Sequence, residues 1–543
     1  MPVADPDADL EGALVDWRRF RRRKRIADIH WSDALYQAYL TGIIGLVAVA
    51  TASSAVGDDV LSSPDVRRVL DEGPGWIGVV AAFAVALGLR SGANGGPLAL
   101  ERSDVRHVLL APVDRTTALR GPALRQLRFA AFASTIVGAV LGLLAEKRLP
   151  GNTVAWLATG ALVGLTTAAL MLGTALAASG LRLPRWLGSL VGLALLGTAV
   201  ADGTDVLAWS VTAPFGDLAL WAVDVDPVGL VWPAVALAVV VAGLLLLGRI
   251  SMEAAERRST LVGQLRFAAT LQDLRTVIVL RRQLAQELPR LRPWVRLRVR
   301  GTGRAPFQVR GLRGVLRWPA ARVGRNLVLG AVAGVALRGV WSGTSPLVIA
   351  AGLAMFIVGL DAVEPLAQEV DHPSRRDASP IEASAIHLAH VPVGVLVMLV
   401  AAAVGAIAAL VPGPGEVPAD VAALALVPLA LGGLSGALVS VLGGQAKVEG
   451  AWSLVPPEAQ GMRLLFRTAW PPGLAALGAT PVLFARNAVD RGEGALAGAQ
   501  PLVVLVIVVF VLVAGWVRVR DDIAAWWRQS MEAATATQKE PTS

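Results

Sequence analysis

Cysteine is absent from the 543 residues. The chain can therefore form neither a disulfide nor a thiolate metal site. Charge is scarce, with 17% of residues Asp, Glu, Lys or Arg, against about 25% in an ordinary soluble domain. A phosphate-cradling loop is missing too. The glycine clusters GANGGP and GGQAKVEG lack the Lys-Ser/Thr ending and a buried strand before them, so the chain has no nucleotide-hydrolysing centre of its own. The long apolar runs carry no carboxylate at mid-span, where each would cost about 2.5–3.5 kcal/mol and persist only for function. That absence speaks against an ion-coupled carrier. The five histidines are scattered. Only His387 and His390 stand three apart in a helix pattern. They fit either a metal pair or two side chains at a span entrance, and no zincin-type carboxylate motif accompanies them.

What is present is apolar: 55% of the residues, with a mean hydropathy of +0.59. Soluble domains hold about 45–50%. The composition is that of an all-α polytopic membrane protein. The net charge of +9 belongs with basic loops beside anionic lipid and not with a nucleic acid. A signal peptide is not expected, because a long charged stretch precedes the first apolar run and that run, 35–56, is long enough to cross a bilayer.

A crossing helix needs about 20 apolar residues. Twelve such runs are predicted, six in each half. The first six are 35–56, 75–90, 126–145, 153–178, 186–201 and 230–248. The second six are 326–341, 346–363, 386–411, 421–443, 469–485 and 496–517. The implied organisation is an N-terminal segment 1–34, a first six-span half 35–248, a basic linker 249–325, a second half 326–517 and a tail 518–543. Loop charge alternates. Arginines fill Trp17 to Arg25, the loop after span two, the loop after span four and the middle segment. The loop after span five holds Asp202, Asp205, Asp217, Asp224 and Asp226 with no Lys or Arg. Under the positive-inside rule both termini face the cytoplasm of a cell whose inner (plasma) membrane the chain crosses many times. Amphipathic stretches precede each half: Leu10 to Trp31, and the run with Leu312, Val315, Leu316 and Trp318 among arginines. Each suits an elbow helix lying at the interface, or a plain topogenic anchor.

Two polar loops repeat. The first, PLALERSDVRHVLLAPVDRTTAL, runs from Pro97 to Leu119 and the second, PLAQEVDHPSRRDASPIEASAI, from Pro365 to Ile386. Pro-Leu-Ala is followed 15 positions on by a second proline (Pro112, Pro380), then two places later by an acid (Asp114, Glu382). The offset is 268, about half the chain. Such internal duplication in apolar sequence is what many transport folds are built from. Asp114 stands as an N-cap for the next helix. The loops read either as connectors or as short surface helices that relay movement into the spans. The run Trp209 to Trp232, with Pro214, Phe215 and Trp221, reads either as an external gate or as an aromatic interfacial loop.

The run ERSDVRHVLLAPVDR, Glu101 to Arg115, resembles the cytoplasmic loop of the type-two class of ABC exporter permeases. The matching positions are Glu101, Arg102, Leu109, Leu110, Pro112, Val113, Arg115 and Leu119. The second copy keeps Pro380, Ile381 and Ile386, but Ala383 replaces the arginine and the leucine pair is missing. The resemblance implies six spans per half, an elbow helix, and coupling helices that dock on a cytoplasmic ATPase. The coupling residues would be Glu101, Arg102, Leu109, Pro112, Val113, Asp114 and Arg115 in one half and Pro380, Ile381 and Glu382 in the other. It also implies external helices between spans five and six, where Trp209, Pro214, Phe215 and Trp221 lie. ATP and Mg would sit on the partner, a homodimeric ATPase, and no cofactor on this chain. The expected substrate is a lipophilic or amphipathic small molecule or a lipid. A twelve-span secondary carrier and a membrane scaffold are the competing expectations.

Overall fold

The computed structural model describes residues 62–93, 114–204, 210–251, 305–372, 379–411, 416–443 and 469–539, together with isolated positions elsewhere. Every element among the described residues is helical, and nine helices there are long and apolar enough to cross a bilayer. The chain is a multi-pass helical membrane protein. It divides into two compact units, Met1–Leu280 and Arg281–Ser543.

The first unit contains α1 (Ser63–Ala93), α2 (Arg115–Glu146), α3 (Thr153–Gly180), α4 (Arg185–Gly203), the short α5 (Ala213–Ala219) and α6 (Val231–Leu245), which follows a 3-10 turn at Pro227–Leu230. Local chemistry sets the starts. Asp114 accepts from the Thr117 N–H, Asn152 from that of Val154, and Asp226 from that of Val228, each at 2.9 Å. Helix α3 is central and packs on α1, α2 and α6. Half of its most apolar window is buried, against 11% for α2. The outer face of α2 is accordingly left uncovered, with Phe129 and Phe132 exposed. α2 and α3 meet through glycines. A Cβ on Gly138 would sit 2.1 Å from the Gly160 carbonyl oxygen, and one on Gly164 2.0 Å from that of Ser134. This is the close backbone approach that small-xxx-small spacing permits in lipid.

The second unit contains α7 (Ala305–Val315), α8 (Ala320–Trp341), α9 (Leu347–Ala362), α10 (Glu364–Asp371), α11 (Ala383–Ala409), α12 (Ala419–Leu442), α13 (Thr480–Asp490) and α14 (Ala495–Lys539). A further helix over 469–477 precedes α13. Here α12 is central, with 72% of its window buried, and it packs on α9, α11 and α14. α8 crosses α11 at Gly330 and Gly334, whose added Cβ atoms would meet the Ala401 and Gly405 carbonyl oxygens at 2.4 and 2.0 Å.

The helices differ from the expected spans in instructive ways. Of the first expected span, 35–56, and of the first elbow only isolated positions are described, and most of the linker lies outside the described residues. α2 begins at Arg115, eleven residues before the expected 126, because Arg115, Arg120 and Arg125 extend a helix already capped at Asp114. α8 likewise begins at Ala320 and takes in Arg322 and Arg325, which are neutralised by carboxylates. The expected span eight, 346–363, agrees with α9 to one residue at each end. α9 stops at Ala362, and α10 departs from it by 58°. Pro365 explains the break, since it has no N–H to give the Asp361 carbonyl four residues back and its ring crowds that carbonyl. The second Pro-Leu-Ala, expected in a loop, is thus the first turn of a helix. The expected span eleven, 469–485, is interrupted at Gly478–Ala479, where the chain turns into α13. The amphipathic stretch before the second half forms α7 and its following turn.

Candidate functional site

In each unit most of the described arginines lie at one end of the bundle, and the Pro-Leu-Ala copy is placed there. In the first unit that end is built by the C-termini of α1, α3 and α6 and the start of α2. Leu98 and Leu100 of the repeat, with Val105 and Leu109, are buried against Ala118, Leu119 and Ala123 of α2, Leu176 of α3, and Leu247 and Ile250 after α6. The amide of Gln126 on α2 donates to the Pro97 carbonyl at 2.7 Å. Arg182, in a left-handed turn with φ 53°, donates from Nε to the Arg249 carbonyl at 3.0 Å. That bond ties the α3–α4 turn to the turn after α6. Asp114 is exposed, and the Thr117 backbone N–H it accepts holds its carboxyl below the ordinary range. Arg115 beside it is exposed. Glu101, Arg102, Pro112 and Val113 lie outside the described residues.

In the second unit the same kind of end is ionic. Leu366 and Ala367 of the repeat are buried in the main core, as Leu98 is in its own cluster. Around them charges interlock. Arg322 pairs with Asp361 at 3.2 Å and with Glu364. Arg325 pairs with Asp361 as well. Arg310 of α7 pairs with Glu369 of α10. The Arg322 guanidinium lies 4.3 Å from the Trp318 ring centroid. His390 is buried on α11, with Nε2 3.9 Å from the Glu369 carboxylate and its ring edge-on to Phe307 at 6.3 Å. α7 can press against α11 because Gly311 has no side chain, and an added Cβ would lie 3.1 Å from His390 Nδ1. Pro380 and Glu382 are exposed and Ile381 half-buried. Glu382 precedes the first residue of α11, accepts from Ser384 Oγ at 2.6 Å, and pairs with Arg518 of α14.

No family model, curated protein or solved structure matches this chain.

The tryptophan-rich segment occupies the opposite end of the first unit. Trp209 lies outside the described residues. Phe215 and Leu218 of α5 are fully buried, Pro214 and Trp221 half-buried. Gly216 rides on Pro74 of α1, where an added Cβ would be 2.2 Å from Pro74 Cα. Buried Asp202 at the end of α4 accepts from the Ser210 hydroxyl and from Thr212 Oγ1, the latter at 2.8 Å. Trp221 Nε1 donates to the Asp226 carbonyl at 2.7 Å. α5 is therefore a short helix folded back against α1, held by hydroxyl–carboxylate and indole–carbonyl bonds.

Among the described residues no cluster of three or more His, Asp or Glu is placed to hold a metal ion. His387 and His390 are both buried. Sequence reading passed over Glu369 and the pairing of Arg310 and Arg322. The signal was there: Asp361, Glu364 and Glu369 stand at one span end and a ladder of arginines precedes α8.

Proposed function

We propose that this chain is the fused permease of an ABC-type exporter, with two six-span halves driven by a separate ATPase. The observation that carries the reading is the register of the two halves. α2 and α11 start 383 − 115 = 268 residues apart, and the final crossings start 495 − 227 = 268 apart. That is the offset of the Pro-Leu-Ala copies. Packing follows suit: α1 on α3 matches α9 on α12, α2 on α3 matches α11 on α12, and α3 on α6 matches α12 on α14. A short helix precedes the last crossing in both halves, α5 and α13. The expected twelve spans further need 35–56, the α9–α10 pair as one crossing, and a crossing that ends at 477, of which nine residues are described.

In this reading the basic ends face the cytoplasm, by the positive-inside rule. ATP binding closes the partner subunits, and the segments ending at Asp114 and Glu382 carry that movement into α2 and α11. The segment with Trp209, Pro214, Phe215 and Trp221, which includes α5, forms the outer gate of the first half, and the cargo is a lipophilic or amphipathic molecule. Charge supports the division of labour, because the buried carboxylates Glu364 and Glu369 are engaged by arginine and Asp202 by hydroxyls. The test is reconstitution in vesicles with and without the co-purifying ATPase. ATP-dependent export of an amphipathic dye is expected only with both. Transport on a proton gradient in vesicles free of any ATPase overturns the reading. So does labelling of Asp114→Cys, in this cysteine-free background, from the outer face of intact cells.

A further inference from the structure

The joint between α9 and α10 consists of Val363 alone, with φ −88° and ψ 8°. Pro365 leaves the Asp361 carbonyl without its helical donor, and Arg322 Nη2 supplies one at 3.3 Å. The same guanidinium pairs with the Asp361 carboxylate, on the last turn of α9, and with Glu364, the first residue of α10. One side chain of α8 therefore holds both arms of the break. Farther along α10, Glu369 is gripped by Arg310 of α7. The Glu364 and Glu369 side chains are 7% and 2% exposed, so neither is solvated enough to stand unpaired. A proline break permits a range of angles, whereas directional pairs at both ends of a two-turn helix select one.

We infer that Val363 is a hinge and that the Arg322 and Arg310 pairs are its latch. With the latch closed, α10 moves as one body with α7 and the first turn of α8. With it open, α10 swings about Val363 and carries the segment that leads to Glu382. The inference rests on the proposed reading only in naming that segment as a lever; the hinge itself does not depend on it.

The absence of cysteine makes the test clean. Spin labels at Gly314→Cys on α7 and His372→Cys after α10, both exposed, report the distance between them by pulsed electron resonance in nanodiscs without an ATPase. The latched chain should give one narrow distance. The neutral pair Arg310→Gln with Glu369→Gln opens one end of the latch without stranding a charge, and should broaden the distribution by several ångströms. The exchange Arg310→Glu with Glu369→Arg should narrow it again. A control pair, Val427→Cys on α12 and Val511→Cys on α14, should not change in any variant. An unchanged distance in the neutral pair overturns the latch. So does a swap that stays broad, or broadening at the control pair, which would mean that the charges hold the whole unit and not one joint. If the latch behaves as stated while no ATPase supports export, the hinge stands and the exporter reading falls.

Discussion

Pro97–Leu100 and Pro365–Gln368 begin alike and are anchored alike by a buried leucine, yet their surroundings diverge. Leu98 sits in a small apolar cluster made from four parts of its unit. Leu366 sits in the main core, on a helix ringed by three arginines and three carboxylates. Apolar contact is non-directional and tolerates sliding. Buried ion pairs fix position, because losing either partner strands a charge in low dielectric. The first copy is thus held by how well the unit's own helix ends pack. The second is held by arginines of α7 and α8. Two copies of one loop have been given different mechanical ties, so under the proposed function a stroke delivered equally to both need not be transmitted equally.

The largest expected effect comes from unpairing the ionic side. Arg310→Met leaves the Glu369 carboxylate, 2% exposed, without its guanidinium and should destabilise the second unit by about 3–5 kcal/mol, read as a lowered unfolding midpoint in micelles. The double replacement Arg310→Met with Glu369→Leu should recover most of that loss, since well-packed apolar residues commonly replace a buried pair at little cost. A loss under about 1 kcal/mol for the single variant would mean that the pair is solvated, and the contrast between the units would collapse.

On the apolar side, Leu109→Ala removes a buried side chain that sits at 6% exposure. It should cost about 2–4 kcal/mol locally, seen as faster amide exchange in the first turns of α2 without any change in the second unit. The effect should be insensitive to salt. If Leu109→Ala instead behaves as a surface substitution, the first loop is a connector, and the comparison loses its first term.

How far the sequence disclosed this depends on the range of the interaction. Apolar runs located the crossing helices, because crossing length and hydropathy are local properties; the short helices α5, α10 and α13 were not read from them. The start of α2 was legible in Asp114, a cap that acts within three residues. Arg322 and Arg325 misled, since they end an apolar run yet lie inside α8, and their partners are 36 to 42 positions away. No local pattern reports such a partner. The break at Val363 was half legible: the apolar run was ended at 363, beside Asp361 and Glu364, but the helix that resumes at Glu364 and takes in Pro365 was read as a loop. His387 and His390 looked like a metal pair or interfacial side chains; burial, with Glu369 and Phe307 facing His390, is a tertiary fact. The glycines at 138, 142, 160 and 164 have the small-xxx-small spacing of a close crossing, but which helix meets which is again a tertiary fact.

The smallest effect sharpens the comparison at the two caps. Asp114 and Glu382 occupy equivalent places, but only Asp114 accepts a backbone N–H of its helix, that of Thr117. Its carboxyl is held below the ordinary value of 3.8. A group whose folded pKa is depressed stabilises the fold fully above the unfolded value, and that support disappears as the pH falls through the folded value. Protection of the first-turn amides of α2 should therefore be flat from neutral pH down to about 4 and drop below it. Asp114→Asn should keep the cap and abolish the drop, since Asn caps as well as Asp and does not titrate. Asp114→Ala should lose about 1 kcal/mol of protection at every pH above that window. At α11 the corresponding Glu382→Gln should leave first-turn protection unchanged and instead free the exit of α14, by losing the pair with Arg518. If both caps respond alike, the two copies are held in the same way at their helix starts, and their difference is confined to the clusters behind them.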